Sequence, residues 1–414
     1  MIQSHDIICF SNDWDSDPLS KKHIMLRLAK HNRVLWINSI GNRKPTASVH
    51  DLKRIGAKLR AFTRGHEQVH EGIYVYSPIS IPFFGNGVAR WLNRKALGWS
   101  LRRTCRKLGF KNPITWTFLP ASGEVAGSLG EGKLIYHCVD EFSEFTGTDK
   151  AAILQLERRL MAKSDYVIVS SERLYQTKRP YNGNTFLVTH GVDVSHFRKA
   201  CHPQTVVPTE MKALKKPVVG FFGLIADWVD IDLIRFLAVS RPDCSFALIG
   251  KIVTDLRIFD DLPNVHLLGQ KPYEVLPGYA KAFDVAILPF VSNELTLAAN
   301  PLKLREYIAA GLPVVSTAIP EAERLRHLIR IGGNKLEFLD EMNAVLSSGQ
   351  TGPRLEVSQQ MDAESWDEKV EELSQIISGK RLKGSPLPSG EGGAAKREPA
   401  RAKPRGKRRV RVRN

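Results

Sequence analysis

Two series of short apolar runs, alternating with amphipathic stretches, constrain the fold of this chain most strongly. The runs are rich in Val and Ile and bounded by polar residues, Gly or Pro, which is typical of strands buried on both faces of a parallel sheet. In the first series, helical patterns lie between the strands at His23–Lys30, Val88–Leu108 and Ala151–Ala162. The predicted strands of this series are Asp6–Ser11, Arg33–Asn38, Gly72–Ser77, Pro113–Leu119, Lys133–Asp140, Asp165–Ser170 and Thr185–His190.

The alternation stops at residues 201–216, where Pro and Lys predict a linker, and then starts again. The predicted strands of the second series are Val218–Phe222, Ser245–Ile249, Val265–Leu268, Val285–Pro289 and Val314–Ser316. Its predicted helices are Ile231–Val239, Tyr273–Ala282, Pro301–Ala310 and Asn334–Leu346. Two such series predict an α/β fold of two doubly wound Rossmann-like domains facing a cleft, with ligands beyond the carboxyl ends of the strands.

The domain boundaries follow from the same pattern. We expect an N-terminal domain over residues 1–200, the linker over 201–216 and a C-terminal domain over 217–357. A last helix is predicted at Trp366–Ser378, within residues 358–379, because Ser365 and Glu368 have the spacing of a capping box. The pattern does not say where this helix docks.

Residues 380–414 are predicted to be a disordered basic tail, because they are rich in Gly, Pro and Ala and contain few large apolar residues. Thirteen basic and two acidic residues there account for +11 of the net charge of +17. A solvated extension, a nucleic-acid contact and a membrane contact all fit such a tail.

Composition narrows the functional class. No apolar run reaches the 18 residues of a membrane-spanning helix, and the first residues do not form a signal peptide. The five cysteines are scattered and form no CxxC pair, which argues for a reducing compartment and against zinc or a disulfide framework. We therefore expect a cytoplasmic protein.

The segment from Asn300 to Glu306 predicts a helix start with an anion site. Asn300 suits the N-cap and Pro301 the first helical position, so this start faces the end of the preceding strand. Lys303 opposes the helix dipole in the first turn, which is favourable when an anion binds there. Glu306 lies on the same face and could bind ribose hydroxyls, but an ordinary salt pair between the two residues fits the spacing equally well.

Glycines at the end of strand Val218–Phe222 suggest a close approach of a ligand to the backbone. Gly220 and Gly223 would permit such an approach, although a simple turn explains them too. Asp230 is expected to cap the helix that follows.

Five segments, in this order along the chain, resemble family 4 glycosyltransferases of the GT-B fold, especially the subgroup similar to teichuronic acid biosynthesis glycosyltransferases. The resemblance spans residues 6–378. The segments are Tyr136–Phe142, His190–Asp193 with Phe197, Phe222–Asp230, Asn264–Gly269 and Asn300–Glu306.

This resemblance implies a transferase that takes a sugar from a nucleotide sugar, with retention of configuration and with no metal or cofactor. The implied donor-binding residues are Gly223, Lys251, Asn300, Pro301, Lys303 and Glu306. His137 and Asp140, at the end of strand Lys133–Asp140, are candidate catalytic residues, because sugar transfer needs an acceptor for the hydroxyl proton. A capping aspartate and a hydrogen-bonded histidine explain the same two residues equally well.

Two departures from the family pattern concern the donor sugar. The wider family has a pair of glutamates eight positions apart; the second matches Glu306, but Ala298 stands in place of the first. The glycine loop of the family also contains basic residues, whereas Leu224–Trp228 contains none.

On the acceptor side, we expect Asp13, Trp14 and His23 to contribute. Asp13 and Asp15 form a DxD string, which binds metal in a different glycosyltransferase fold. The sheet pattern favours the two-domain fold, so we expect a loop contact with the acceptor and no metal.

Between Glu71 and Glu124 the chain has no acidic residue. Within this stretch, residues 83–111 combine Lys and Arg with Phe83, Phe84, Trp91 and Trp99. This pattern fits the anionic inner face of a membrane, where a lipid-linked acceptor would lie. It also fits an amphipathic helix with its Trp and Leu in the core, and nucleic acid is the least favoured partner.

The function favoured by these observations is transfer of a sugar to a glycan or lipid-linked acceptor in cell-surface polysaccharide biosynthesis. Two alternatives stay open: a sugar-nucleotide epimerase of the same fold, and a non-catalytic partner subunit that kept the fold. The sequence does not identify the sugar, the base or the acceptor.

Overall fold

The structure is a computed structural model that describes residues 1–16, 19–39, 65–78 and 87–380, with the backbone alone for 87–94. Phe83, Phe84 and the predicted tail beyond residue 380 lie outside the described residues, as does the Trp91 side chain. Residues 1–382 form one compact unit.

The first domain is built on an eight-stranded sheet with the order β3-β4-β2-β1-β5-β6-β7-β8. All neighbouring strands are parallel except β3, which pairs antiparallel with β4 at one edge. The strands are β1 Asp6–Phe10, β2 Arg33–Ile37, β3 His66–His70, β4 Ile73–Tyr76, β5 Ile114–Thr117, β6 Lys133–Cys138, β7 Tyr166–Val169 and β8 Thr185–Leu187.

The second domain is built on a six-stranded parallel sheet with the order β11-β10-β9-β12-β13-β14. The strand order reverses between β9 and β12, and in open parallel sheets ligands bind at such a switch point. The strands are β9 Val218–Phe222, β10 Ser245–Ile249, β11 Val265–Gly269, β12 Val285–Leu288, β13 Val314–Thr317 and β14 Arg330–Gly332.

Helices cover both sheets and connect their strands. They are α1 Ser20–Ala29, α2 Gly87–Lys107, α3 Lys150–Lys163, α4 Glu172–Lys178, α5 Val194–Phe197, α6 Thr209–Lys212, α7 Ile231–Ser240, α8 Leu276–Ala280, α9 Glu294–Ala298, α10 Leu302–Ala309, α11 Pro320–Arg324, α12 Lys335–Ser347, α13 Leu355–Gln359 and α14 Trp366–Ile377. Among the described residues, none of these helices combines the length and apolarity needed to cross a bilayer.

Most predicted elements match the structure within a few residues, and the differences have local causes. The helix expected at Tyr273–Ala282 begins as a 3-10 turn and becomes α8 only at Leu276, because Pro277 suits a helix start and not its interior. Strand β3 was not predicted because its residues are polar and mostly exposed. Strand β14 was not predicted because it has only three residues.

The last helix, α14, packs on the first domain, a docking place that the sequence left open. Its Trp366, Val370 and Leu373 share an apolar cluster with Ile7 and Ile24 of the first domain. The Ser365 side chain accepts a hydrogen bond from the Glu368 backbone N–H at 3.2 Å, which confirms Ser365 as the N-cap of this helix. The chain therefore returns to its first domain after completing the second.

Candidate active site

The carboxyl end of β9 lies against the end of β10 with no space for side chains between them. Gly223 has a φ of +154°, and a Cβ placed on Gly250 would lie 1.7 Å from the Gly223 carbonyl oxygen. Gly220, by contrast, lies inside β9, where a Cβ would lie 2.1 Å from the ring of Phe283. Gly220 is therefore required by packing, and only Gly223 belongs to the edge where a ligand would bind.

Lys303 and Glu306 lie directly beside Gly223. The Lys303 ammonium donates a hydrogen bond to the Glu306 carboxylate at 2.6 Å and lies 5.0 Å from the centre of the Phe222 ring. The Glu306 side chain is 7% exposed and that of Lys303 25%, so this is not an ordinary surface pair. A Cβ on Gly223 would lie 3.3 Å from Lys303 Cε, so a side chain at Gly223 would crowd the lysine.

Helix α10, on which both residues lie, is fixed to the end of β9. The Tyr307 hydroxyl accepts a hydrogen bond from the Phe222 backbone N–H at 2.9 Å. At its other end, Gly311 adopts a φ of +79° and Leu312 N–H donates to the Tyr307 carbonyl at 3.0 Å, which is a Schellman end. Gly311 therefore ends this helix, in agreement with the helix predicted over Pro301–Ala310.

The expected cap of α10 is wrong by one position. The helix begins at Leu302, Pro301 is its N-cap residue, and Asn300 lies outside it. The Asn300 side chain, 4% exposed, instead donates to the Ser170 carbonyl at 2.7 Å and accepts from Arg305 at 2.8 Å. The Asn300 amide thus makes hydrogen bonds to both domains and positions the helix. Its side chain is therefore not available to bind the nucleotide sugar.

Two residues that the sequence analysis did not single out lie close to Glu306. His196 stacks on the Tyr273 ring at 4.3 Å and shares a hydrogen bond with the Tyr273 carbonyl at 2.9 Å. The Tyr273 hydroxyl is buried and has no hydrogen-bond partner among the described residues. Burial and the nearby charge of Glu306 raise the pKa of Tyr273, so the hydroxyl stays protonated and available as a donor. His196 lies just before Phe197, in a segment whose family resemblance could have drawn attention to it.

In the first domain, His137 projects from β6 into a buried layer. It is 2% exposed and stacks on Phe118 with 5.0 Å between ring centres. Neither ring nitrogen has a partner among the described residues, and burial lowers the pKa of the imidazole well below its usual range. The neutral ring has one nitrogen that can donate and one that can accept a hydrogen bond, but the lowered pKa makes it a weaker base than an ordinary histidine.

His190 is also nearly buried, at 7% exposure. Its Nδ1 lies 2.9 Å from the Asn300 carbonyl oxygen, so this nitrogen is the donor and Nε2 is the bare one. Burial and the charge of Arg305 lower the pKa of His190 to about 3. The ring is therefore neutral at physiological pH, because burial and the neighbouring cation outweigh the hydrogen bond to the Asn300 carbonyl, which favours the charged form.

Asp140 follows β6 at the same edge and is half-buried. Burial raises the pKa of this carboxyl group, and the positive charge of Lys21 opposes the rise. Lys21 itself is 5% exposed, an unusual environment for a lysine. The sequence analysis did not predict a role for it.

Two of the three residues expected on the acceptor side, Asp13 and Trp14, lie near the ends of β1 and β2. The Asp13 carboxylate accepts hydrogen bonds from the Ser39 backbone N–H at 3.0 Å and the Ser39 hydroxyl at 2.9 Å. Trp14 lies edge-on to Trp36 with ring centres 5.1 Å apart. His23 lies elsewhere, stacked on Trp366 of α14 with ring centres 5.4 Å apart. The structure thus brings Asp13 and Trp14 together in one loop and places His23 in the junction between α1 and α14.

Lys251 follows β10 and is exposed. Its backbone carbonyl accepts a hydrogen bond from Ile225 at 2.9 Å, so it lies beside the glycine loop. No contact between Lys251 and Lys303 or Glu306 is present among the described residues.

The two domains touch across the cleft at several places among the described residues. Phe145 lies edge-on to Trp228 with ring centres 6.4 Å apart, and Thr146 is hydrogen-bonded to Asp227. The Ser171 hydroxyl donates to the Ala298 carbonyl at 2.6 Å. Ala298 is 2% exposed and packs into an apolar cluster of the first domain, which explains physically why no glutamate stands there.

Residues 206–348 match a family model described as "Glycosyl transferases group 1". The matched residues include most of the second domain, so this domain is similar to that family. A curated relative, the "Putative teichuronic acid biosynthesis glycosyltransferase TuaH" of Bacillus subtilis (strain 168), is 26% identical over 260 residues. The match covers 57% of this chain and 64% of the relative, which is less than two thirds of its length. Both names agree with the predicted family and with the predicted enzyme class.

Solved structures match nearly the whole chain. Sucrose-phosphate synthase from Thermosynechococcus elongatus has a TM-score of 0.66 at 14% identity, covering 91% of this chain and 98% of its own. The Anabaena protein HepE in complex with UDP-glucose has a TM-score of 0.62 at 14% identity, covering 90% of this chain and 99% of its own. At such identities the likeness establishes the fold, and the predicted GT-B architecture is confirmed.

Proposed function

We propose that this chain transfers a sugar from a nucleotide sugar to a glycan or lipid-linked acceptor in cell-surface polysaccharide biosynthesis. The observation that supports this most is the Lys303–Glu306 pair beside Gly223, at the switch point of the second sheet. The name of the curated relative supports the polysaccharide context. The name of HepE in complex with UDP-glucose supports a nucleotide-sugar donor.

In this proposal the diphosphate of the donor lies beyond the ends of β9 and β12, against Lys303. The ammonium and the backbone N–H groups at the start of α10 stabilise the charge of the departing diphosphate. When the nucleotide sugar binds, its ribose hydroxyls replace Lys303 as hydrogen-bond donors to the Glu306 carboxylate. Such an exchange needs both residues, so neither is dispensable.

The reaction breaks the bond between the anomeric carbon and the diphosphate oxygen and forms a bond to the acceptor oxygen. We propose retention of configuration, with the departing diphosphate taking the acceptor proton and no metal or cofactor involved. His137, neutral and with bare ring nitrogens, lies at the first-domain side of the cleft, where it would hydrogen-bond a substrate hydroxyl. Asp140 would take part in the same place.

A membrane surface is the second part of the proposal. From residue 95 onward, five side chains form one stripe on the outer face of α2, opposite the buried Leu97, Leu101 and Cys105. The stripe, which we call the α2 stripe, consists of Lys95, Trp99, Arg102, Arg103 and Arg106. Trp99 is 57% exposed, so the interpretation that places its ring in the core is wrong. An exposed Trp among cations is suited to the interface of an anionic bilayer, and we propose that the protein works peripherally on its cytoplasmic face.

The test is a transfer assay with a panel of UDP-, GDP- and dTDP-sugars, with and without acceptor glycans. Release of nucleoside diphosphate together with a glycosylated product is the expected result. Conversion of the sugar without any acceptor would favour an epimerase. Binding of none of these nucleotides would contradict the proposal.

A further inference from the structure

Lys21 is a buried lysine near the carboxyl edge of the first sheet, and it has few partners among the described residues. Its side chain is in the first turn of α1 and is 5% exposed. An ammonium group has three hydrogens to donate, and burying it without acceptors costs several kcal/mol. Among the described residues it has one acceptor, the Asn12 side-chain oxygen, at the long distance of 3.3 Å.

Asp140 does not neutralise Lys21 by contact. Among the described residues, no carboxylate oxygen lies within the 4.0 Å of an ion pair from the Lys21 ammonium. The remaining neighbours of the ammonium are the rings of Phe142 at 5.8 Å and Phe118 at 6.0 Å, which are weak and distant partners for a cation. Lys21 thus lacks the partners that a buried charge normally has.

Other polar groups beside Lys21 are also without partners. The Ser11 hydroxyl is fully buried, has no partner among the described residues and lines the same small hollow as Lys21. Both nitrogens of His137 are bare, and the charge of Lys21 contributes to the lowered pKa of that ring. Several unsatisfied groups in one place indicate a site that is completed by a ligand.

The hollow itself is narrow, about 10 Å³, which is room for one water molecule. A phosphate group does not fit this hollow, so it would have to approach Lys21 from the side of Asp140 and Phe142, which lie near the ammonium. The start of α1 has no acidic residue in its first turn and no side-chain cap, so its backbone N–H groups add a favourable field for an anion.

We propose that Lys21 binds a phosphate group of a substrate in the cleft, as a cation of the first domain opposite Lys303 in the second. This role also accounts for the absence of basic residues from Leu224–Trp228, since a first-domain lysine would supply the missing charge. The phosphate belongs either to the departing nucleoside diphosphate or to a phosphorylated acceptor. The inference rests on the proposed function only in assigning the phosphate to a substrate of sugar transfer.

The test measures binding of inorganic pyrophosphate to the full chain by calorimetry at physiological salt. Three proteins are compared: the wild type, Lys21→Met and the matched control Lys30→Met, which removes an exposed lysine at the other end of α1. All three have the same basic tail, so tail binding is equal in each. We expect at least a tenfold loss of affinity for Lys21→Met and no change for Lys30→Met. Equal affinity in Lys21→Met and wild type, or no binding of pyrophosphate to wild type, would overturn the proposal.

Stability gives an independent check that Lys21→Met is folded. Because the substitution removes a poorly solvated charge, we expect its melting temperature without ligand to equal or exceed that of wild type. A lower melting temperature would mean that Lys21 stabilises the fold, which contradicts a ligand-binding role.

Repeating the titration with saturating UDP separates the two sources of phosphate. Competition between UDP and pyrophosphate assigns Lys21 to the diphosphate of the donor. Lys21-dependent binding of inorganic phosphate to the UDP-saturated protein assigns it to a phosphorylated acceptor. If the wild type shows Lys21-dependent pyrophosphate binding but transfers no sugar from any nucleotide, the proposed function fails while the anion site stands.

Discussion

At the scale of single residues, Lys303 and Glu306 form the pair on which donor binding depends. Replacing either one by Ala leaves the other buried or half-buried charge without its partner and removes a contact to the diphosphate or the ribose. We expect kcat/KM for the nucleotide sugar to fall by about 10²–10³-fold in each variant. Steady-state kinetics measure this, and circular dichroism verifies that the fold is intact.

The matched control is the exposed pair Glu323 and Arg326, which has the same spacing of three residues. Exposed pairs of this kind contribute about 0–1 kcal/mol, so Glu323→Ala and Arg326→Ala should leave kcat/KM unchanged. Wild-type kinetics in both Lys303→Ala and Glu306→Ala would refute the site assignment.

His190 predicts a pH dependence of stability. Its pKa is about 3 in the folded chain, against about 6.5 in an unfolded one. Between these pH values the unfolded chain binds a proton that the folded chain excludes. The contribution of His190 to the free energy of unfolding is therefore complete above pH 6.5 and is lost as the pH falls toward 3. In this pH window we expect the free energy of unfolding to fall by about 1.4 kcal/mol for each pH unit because of His190.

The measurement compares denaturant unfolding at several pH values for wild type and His190→Asn, whose amide can still donate to the Asn300 carbonyl. We expect a shallower loss of stability below pH 6.5 in the variant. The exposed His202, changed to Asn, is the control and should follow wild type. Identical slopes in wild type and His190→Asn would show that the His190 ring is not excluded from protonation.

At the scale of helices and strands, α9 explains why one family glutamate is missing. Ala298 is 2% exposed and packed against the first domain, where the nearby Lys178 is already paired with two carboxylates, so a further carboxylate would be buried there and would disturb this packing. We expect Ala298→Glu to lower the free energy of unfolding by several kcal/mol and not to increase donor affinity. Chemical denaturation and nucleotide titration measure the two effects.

The control for this variant is Ser292→Glu, which adds the same charge at an exposed position just before α9. We expect Ser292→Glu to lower the free energy of unfolding only slightly. A stable Ala298→Glu protein with tighter donor binding would mean that α9 is not held against the first domain as in this structure.

The α2 stripe gives a second prediction at this scale. If Trp99 and its flanking cations contact a bilayer, Trp99→Ala and Arg103→Gln should each weaken binding to vesicles rich in anionic lipid, and added salt should weaken it further. Cosedimentation with anionic and zwitterionic vesicles measures this. Equal binding of wild type and both variants to anionic vesicles would exclude the stripe as the membrane contact.

At the scale of the whole molecule, the two-domain fold could be predicted because its strands are buried on both faces and read as apolar runs. The expectation that ligands bind beyond the carboxyl ends of the strands followed from the same alternation, and α10 followed from its end signals, whereas the strand order came only from the structure. Features set by distant parts of the chain could not be predicted. Neither the docking of α14 through Trp366 nor the use of Asn300 between two domains leaves a local pattern.

In the candidate site, too, some residues could be predicted from the sequence and others could not. The spacing of Lys303 and Glu306 places them on one helix face near a strand end, and the family resemblance then implied donor binding. Lys21, His190 and Tyr273 were not singled out, since their burial depends on contacts between elements far apart in the sequence. The sequence left open whether Trp99 is exposed or packed in the core. Cations occupy most of one face of this helix, and that pattern does not determine on which face a single Trp lies.

The most direct test of the central claim is a crystal structure of the chain with a non-hydrolysable nucleotide sugar. We predict that the diphosphate lies against Lys303 and the start of α10, that the ribose hydroxyls donate to Glu306, and that the sugar points toward His137. A nucleotide bound away from the ends of β9 and β12, or one that leaves the Lys303–Glu306 pair untouched, would contradict this account.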